Sequence, residues 1–141
     1  INLPTLILKL NEVKMKEEII IPVNDKKEFE RLKEKIKKYS FKQLPKREPH
    51  YTDSLLQKDT DEKELEEYFT QFDKIKKIDF RKRKSNWNNY DFYYELDDGT
   101  FILYAIKLDV TPPMIINAFH AHTNFKNFLK HLLKKYGKEV V

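Results

Sequence analysis

A run of four consecutive cations lies near the middle of the chain and is followed by polar and aromatic residues. The run is Arg81, Lys82, Arg83 and Lys84, and Trp87 follows it among serine and asparagine side chains. Cations attract phosphates, arginine adds bidentate hydrogen bonds that lysine cannot form, and an indole ring offers a plane on which a base can stack. The segment therefore predicts a nucleic-acid-binding loop between two strands. The alternative is a solvated loop whose Trp87 folds back into the core.

The four histidines are the candidates for acid–base chemistry, because histidine titrates near neutral pH. His50 lies in a proline-bounded segment, whereas His120 and His122 lie at the end of an apolar strand. The fourth, His131, belongs to the last predicted helix. A His-x-His pair can bind zinc, but it supplies two ligands and the sequence offers no nearby third. We therefore predict His50 and His120 as acid–base groups, with no metal site and no cofactor.

Two polar residues interrupt strands that are otherwise apolar. Asn117 stands between Ile116 and Ala118, and Lys107 lies near the end of the preceding strand. A polar group in a buried strand needs a partner, either within the fold or on a ligand. Asn117 is therefore a third catalytic candidate, and Lys107 joins the nucleic-acid-binding candidates. Strand parity places Asn117 and His120 on opposite faces unless a bulge intervenes.

The elements that must position these residues begin with two predicted amphipathic helices. Residues 25–39 carry an apolar stripe at spacings of three and four, opposite a lysine-rich face. Asp25 and Glu28 have the spacing of a capping box at the start of this helix. A second stripe predicts a helix from residue 60 or 61 to about residue 77, with acidic residues near its positive N-terminal end.

The segments around these helices are less regular. Residues 42–59 contain two prolines and predict a loop, with one helical turn at residues 54–57. Residues 3–10 alternate as a strand does, although their leucine spacing also fits a helix. Residues 18–23 predict a short buried strand that ends at a proline.

From Ile78 onward the apolar period changes from helical to two, which predicts a sheet. Asp98 and Gly99 are typical of a hairpin turn between two of its strands. The last helix is predicted at residues 124–136, with Gly137 placed to end it. The predicted strands are consecutive and form an antiparallel meander: residues 90–96, 101–108 and 114–120.

Composition bounds the class of protein. The chain has 141 residues, enough for one α+β domain that spans residues 1–141 without disulfide or metal staples. Two glycines exclude glycine-rich phosphate loops, and the lack of cysteine excludes disulfides, thiolate zinc sites and cysteine nucleophiles. A net charge of +5 favours anionic partners. No apolar stretch is long enough to cross a bilayer, the start does not resemble a signal peptide, and the first residue, Ile1, suggests a trimmed or partial chain.

The order of helices, a histidine-bearing connection and a meander resembles the barnase–EndoU–colicin–RelE-like nuclease superfamily, in particular its phage-associated and toxin-domain branches. The resemblance covers residues 41–119, and the last strand, with Asn117 between apolar residues and Phe119 closing it, carries most of it. His50 corresponds to the early histidine of several branches. Asn117 stands where threonine or serine is more usual, and residues 54–57 replace the Leu-Gly that often follows the histidine. The resemblance implies helices packed on an antiparallel sheet, RNA bound over the sheet, and RNA transesterification without a cofactor.

These observations lead to one functional prediction with two alternatives. We expect a metal-independent endoribonuclease of a toxin or mobile element, which uses His50, His120 and Asn117 for chemistry and the cationic loop with Lys107 for RNA. Such a protein would act in the cytoplasm of its own or a target cell, with a cognate antitoxin or immunity protein as a second partner and no membrane. The alternatives are a non-catalytic nucleic-acid-binding module and a protein-interaction domain with a basic face.

Overall fold

The structure, a computed structural model, describes residues 19–83 and 87–136. The strand predicted at residues 3–10, the cation Lys84 and the helix terminator Gly137 lie outside the described residues. The elements, in chain order, are β1 (Ile19–Pro22), α1 (Lys26–Lys37), a 3-10 turn (Phe41–Gln43), α2 (His50–Gln57), α3 (Glu62–Phe69), a second 3-10 turn (Phe72–Lys74), β2 (Ile75–Lys82), β3 (Asn88–Glu95), β4 (Phe101–Lys107), β5 (Met114–Ala121) and α4 (Phe125–Tyr136).

The five strands form one antiparallel sheet in the order of the chain, β1-β2-β3-β4-β5. The predicted fold class is confirmed: helices from the first half of the chain pack on an antiparallel meander, and an amphipathic helix follows it. The predicted hairpin turn is present, since Gly99 has a φ of 87° and its amide donates to the carbonyl of Leu96 at 3.0 Å. A φ in this range suits glycine because it has no Cβ.

The first face of the sheet, which carries Phe92, Tyr94 and Tyr104, packs against the helices α1 to α3 and forms the main core. Two buried tyrosines tie this face to α3. The hydroxyl of Tyr94 donates to the carbonyl of Phe69 at 2.8 Å, and that of Tyr104 donates to the carbonyl of Leu65 at 2.6 Å. The bond to Phe69 satisfies one of the last four carbonyls of α3, which lack helical partners, and the bond to Leu65 adds a second donor to a carbonyl within the helix.

Replacing Tyr104 by phenylalanine is expected to lower the free energy of unfolding by about 1–2 kcal/mol, because the buried hydrogen bond to the Leu65 carbonyl is lost. Urea unfolding of both proteins measures the difference. Tyr39→Phe, at a partly exposed ring, is the matched control and should change stability much less. An unchanged midpoint for the Tyr104 variant would contradict the role given to this bond.

The second face of the sheet, which carries Tyr93, Leu103 and Phe119, is covered in part by α4. The rings of Phe125 and Phe128 lie 5.4 and 4.7 Å from that of Phe101, and Phe128 lies 5.7 Å from Tyr93. The outer side of α4 presents Lys126, Lys130 and Lys134 to solvent. The helix therefore buries an apolar stripe at one end of this face, and the other end carries polar side chains.

Two predictions for the helical half of the chain are wrong. The second predicted helix ends at Phe69 rather than near residue 77, and Ile75 belongs to β2. The segment predicted as a loop contains the eight-residue helix α2, with Pro49 at its N-cap position. The hydroxyl of Ser54 lies 3.1 Å from the carbonyl of Ala118 in β5, so tertiary contacts stabilise a helix that local propensity did not indicate.

Two smaller expectations at the start of the sheet also fail. Among the described strands β1 lies at the edge of the sheet, and its Ile19 and Ile21 are 41% and 54% exposed, so it is not the buried strand predicted from its three isoleucines. Asp25 does stand at the N-cap of α1, but its side chain makes no cap hydrogen bond, and Glu28 binds Arg31 instead. Among the described residues, no helix is long and apolar enough to cross a membrane.

Candidate nucleic-acid interface

The polar end of the second face consists of charged and amide side chains on β2 and β3. Period-two alternation places Lys77, Asp79 and Arg81 on this face from β2, and Asn89 and Asp91 from β3. Asp79 and Asp91 are register partners, and each is 1% exposed. Buried charges on a sheet face must be paired, and these are.

Asp91 and three side chains around it form a continuous hydrogen-bond network, which we call the polar network. Arg81 Nε lies 2.6 Å from Asp91 Oδ2, and Asn89 Nδ2 donates to Asp91 Oδ1 at 2.8 Å. Arg83 Nε donates to Asn89 Oδ1 at 3.2 Å, which extends the network to the end of β2. Arg81 is therefore paired with a carboxylate of the chain itself, and its role as a direct phosphate ligand stays a prediction.

Burial dominates the titration of the two carboxyl groups. Desolvation raises the pKa of Asp91 above its ordinary value, although Arg81 and Asn89 act in the opposite direction. Desolvation also raises the pKa of Asp79, against the effect of Lys77, whose Nζ lies 2.5 Å from Asp79 Oδ1. Desolvation therefore works against the ionised forms of both carboxyl groups, and the neighbouring cations offset part of this cost.

The other cations of the predicted loop are separated by the fold. Lys82 alternates to the first face and is exposed, so it does not lie beside Arg81 and Arg83. The amide of Arg83 donates to the carbonyl of Trp87 at 2.7 Å, so the two described residues that flank positions 84–86 are hydrogen-bonded to each other. Of the three described cations in the predicted run, only Arg83 lies beside Trp87. It also lies at the end of the polar network.

Trp87 is part-buried, and two cations lie over its ring. Arg47 Cζ is 3.8 Å and Lys107 Nζ is 4.4 Å from a ring centroid of the indole. Lys107 also pairs with Asp109 at 2.9 Å, whereas Arg47 forms no ion pair with any residue in the described ranges. These cation–π contacts therefore place two positive charges beside Trp87, near the polar end of the second face. That Trp87 itself stacks a base stays a prediction.

A cavity of about 210 Å³ lies beside this cluster. It brings together residues from the α2 segment, the β2–β3 loop and β5, and no aspartate or glutamate is among the described residues that line it. Two guanidinium groups and an imidazole in one small cavity without a carboxylate favour an anionic ligand. We call this the anion cavity; it is lined by Arg47, His50, Arg83, Trp87, Ile116 and Asn117.

His50 supplies the imidazole of the anion cavity. It is the first residue of α2 and is exposed, and its imidazole has no hydrogen-bond or ion-pair partner in the part of the chain that the structure describes. Tyr51, which follows it, is buried and donates to Glu62 Oε2 at 2.7 Å, so α2 is fixed while the ring of His50 stays accessible. The ring is therefore accessible to a ligand in the cavity.

Two buried polar atoms at the cavity residues lack partners. Asn117 Oδ1 and Trp87 Nε1 form no hydrogen bond within the described chain. An unsatisfied buried acceptor or donor costs roughly 1–3 kcal/mol. A bound ligand, or a side-chain shift that accompanies it, would supply the missing partners. Asn117 was singled out from sequence for this reason, and the structure places it beside His50.

His120 does not lie in the anion cavity with His50 and Asn117. It pairs across from Ile102 on the first face, where its Nε2 lies 2.7 Å from Thr100 Oγ1 and its Nδ1 lies 2.5 Å from Glu64 Oε1. It is 7% exposed, and its amide donates to Thr60 Oγ1 at 3.0 Å. The predicted combination of His50 with His120 is therefore not assembled. Parity had placed Asn117 and His120 on opposite faces, and that prediction is confirmed.

Sequence reasoning missed two residues of this interface. Arg47 stands next to the proline-bounded histidine, in a segment that was interpreted as a loop. Asp91 lies two residues after Asn89 in an otherwise aromatic strand, and this period-two polar pattern was the available signal.

A second cavity of about 290 Å³ adjoins the anion cavity and shares Arg83 and Asn117 with it. Its remaining lining residues are Arg81, Asp91, Leu103 and Phe119. Among the described residues, no group of three or more histidine, cysteine or acidic side chains is placed to hold a metal ion. Comparison of the chain with protein-family models, curated proteins and solved structures found no match.

Proposed function

We propose that this protein binds RNA at the anion cavity and cleaves it without a metal ion. One observation carries the proposal: the cavity joins an accessible imidazole, His50, to the guanidinium groups of Arg47 and Arg83, with no carboxylate among its described lining residues. A phosphodiester supplies the anion, and RNA also supplies the 2′-hydroxyl that reacts.

The chemistry requires two proton transfers and stabilisation of negative charge. His50 takes the proton of the ribose 2′-hydroxyl, whose oxygen bonds to phosphorus while the bond from phosphorus to the 5′-oxygen breaks. The leaving 5′-oxygen takes a proton from the imidazolium or from water, and the products are a 2′,3′-cyclic phosphate and a 5′-hydroxyl. Arg47 and Arg83 stabilise the charge that develops on the phosphorane oxygens.

The direct test is cleavage in the presence of EDTA. Purified protein at micromolar concentration is incubated with single-stranded RNA, and the 3′ ends of the products are analysed. Fragments that carry a 2′,3′-cyclic phosphate would support the proposal. Intact RNA would reject cleavage, and cleavage that EDTA abolishes would reject the metal-independent mechanism.

Arg47→Gln is expected to weaken RNA binding and to make the slope of log K against log salt less negative by about 1, because one phosphate contact is lost. Lys126→Gln, on the solvent side of α4, removes the same charge away from the cavity and is the matched control. Titration of a labelled RNA at several salt concentrations gives both slopes. Equal slopes for wild type and Arg47→Gln would place the phosphate elsewhere.

A non-catalytic nucleic-acid-binding module is the second candidate. It is favoured by the position of His120, which leaves His50 as the one histidine among the described lining residues of the anion cavity. A module of this kind would bind RNA with an affinity that falls as salt increases, and the RNA would be recovered intact. The same cleavage and titration experiments separate the two functions.

The biological setting is proposed on the resemblance to the barnase–EndoU–colicin–RelE-like nucleases. A ribonuclease of this kind would act on cytoplasmic RNA, in the producing cell or in a target cell, as a toxin or a phage-associated protein. A cognate antitoxin or immunity protein that covers a basic cavity would carry acidic side chains. Coexpression of such a partner should suppress RNA cleavage and growth inhibition.

A further inference from the structure

The cavity next to the anion cavity differs from it in chemistry. Its floor is apolar, because Leu103 and Phe119 are register partners on β4 and β5. Its walls are polar, with Arg83 and Asn117 on the side shared with the anion cavity and Asp91 on the opposite side. An apolar floor with a few polar groups around it is typical of a site for a planar heterocycle.

The register of the strands places two polar residues of this cavity on either side of a small one. Asp91, Ala105 and Asn117 lie in one row across β3, β4 and β5. Strands lie about 4.8 Å apart, so the outer two residues are separated by about 10 Å, and the short side chain of Ala105 between them fills little of the gap. Asp91 and Asn117, the outer residues of this row, both line the second cavity.

Phe119 provides the surface on which a ring can stack. It is partly exposed, and Lys58 Nζ lies 5.4 Å from its ring centroid, which places one more cation near this cavity. Lys58 forms no ion pair with any described residue. Base–aromatic stacking beside cations is a common way for proteins to hold single-stranded nucleic acid.

We propose that this second cavity holds an unpaired nucleobase stacked on Phe119, so that the substrate of the adjoining anion cavity is single-stranded RNA. The inference rests on the proposed function, because it takes the phosphate in the anion cavity as given. Arg83 and Asn117 separate the two cavities, and a nucleotide whose phosphate lies on one side of them places its base on the other. A base within a duplex is stacked on its neighbours and cannot enter.

The test compares four probes: inorganic phosphate, a nucleoside monophosphate, a single-stranded RNA and the same RNA as a duplex. Wild-type protein is expected to bind the nucleoside monophosphate about 10-fold or more tightly than phosphate, as stacking of one base predicts, and the single strand more tightly than the duplex. Phe119→Leu should lose the preference for the nucleoside monophosphate while phosphate binding is retained. Phe119→Tyr, which keeps the ring, should retain both.

The outcomes separate this inference from the function on which it rests. If phosphate and RNA bind but Phe119→Leu keeps the full preference, or if duplex and single strand bind equally, the base cavity is rejected and the anion cavity stands. If neither phosphate nor RNA binds to wild-type protein, the proposed function fails first. Leucine retains an apolar side chain at position 119, and a thermal melt shows that each variant is folded before its affinities are compared.

Discussion

Asp91→Ala is expected to lower the free energy of unfolding at pH 7 by about 3 kcal/mol, because it leaves the partly buried guanidinium of Arg81 without its carboxylate. The side chain of Arg81 is 20% exposed, so water can solvate part of the unpaired guanidinium. We therefore expect the lower end of the range of about 3–5 kcal/mol that is usual for breaking a buried ion pair. Asn89 loses its acceptor as well, since its Nδ2 donates to Asp91. The second face would therefore lose the support that positions Arg83.

The pH dependence of this effect has a definite sign. Burial raises the pKa of Asp91 above its ordinary value of 3.8, so the folded state binds the proton more tightly than the unfolded state does. The stability that Asp91 contributes is then fully present below 3.8 and decreases as the pH rises through the raised pKa. The difference between wild type and Asp91→Ala should accordingly be larger at pH 4 than at pH 7.

Urea unfolding at the two pH values measures this difference. Asp97→Ala removes an exposed carboxylate that pairs with Lys74 at 3.0 Å, and it should cost much less stability because its side chain is 97% exposed. Asp91→Asn keeps an acceptor for Arg81 and should be less harmful than alanine. A loss for Asp91→Ala no larger than that for Asp97→Ala would show that the network does not stabilise the fold.

The parts of the fold that the sequence could predict are those with a local signal. Alternation from Ile78 onward and the turn at Gly99 indicated the meander, and apolar periodicity indicated α1 and α4. α2 was not predicted because its two preceding prolines suggested a loop, and its stability depends on contacts of Ser54 with β5. A contact between residues 64 positions apart leaves no local trace in the sequence.

The candidate site was predictable to a similar extent. Asn117 and Arg83 were found because a polar residue in an apolar strand and a cationic loop are local patterns. The pairing of Arg81 with Asp91 depends on the register between β2 and β3, which composition alone does not specify. The approach of Arg47 to Trp87 depends on where α2 packs, so a side chain 40 positions away was not expected at the predicted loop.

His50→Ala is expected to reduce kcat for RNA cleavage by about 10²- to 10⁴-fold, the range usual for loss of a general acid–base group. RNA affinity should change little, because Arg47 and Arg83 remain in the anion cavity. The exposed ring of His50 makes no hydrogen bond within the described chain, so thermal stability should also be unchanged. Single-turnover cleavage and separate binding titrations distinguish loss of chemistry from loss of affinity.

His131→Ala is the matched control, since His131 is an exposed histidine on α4 that lines neither of the two cavities on the second face. Cleavage by this variant should equal that of the wild type. His120→Ala answers a different question: its imidazole contacts Thr100 and Glu64 on the first face, so the variant should lose stability rather than acid–base chemistry. If His50→Ala retained full activity while a correctly folded His120 variant lost it, the reaction would lie on the first face and the assignment of the anion cavity would be wrong.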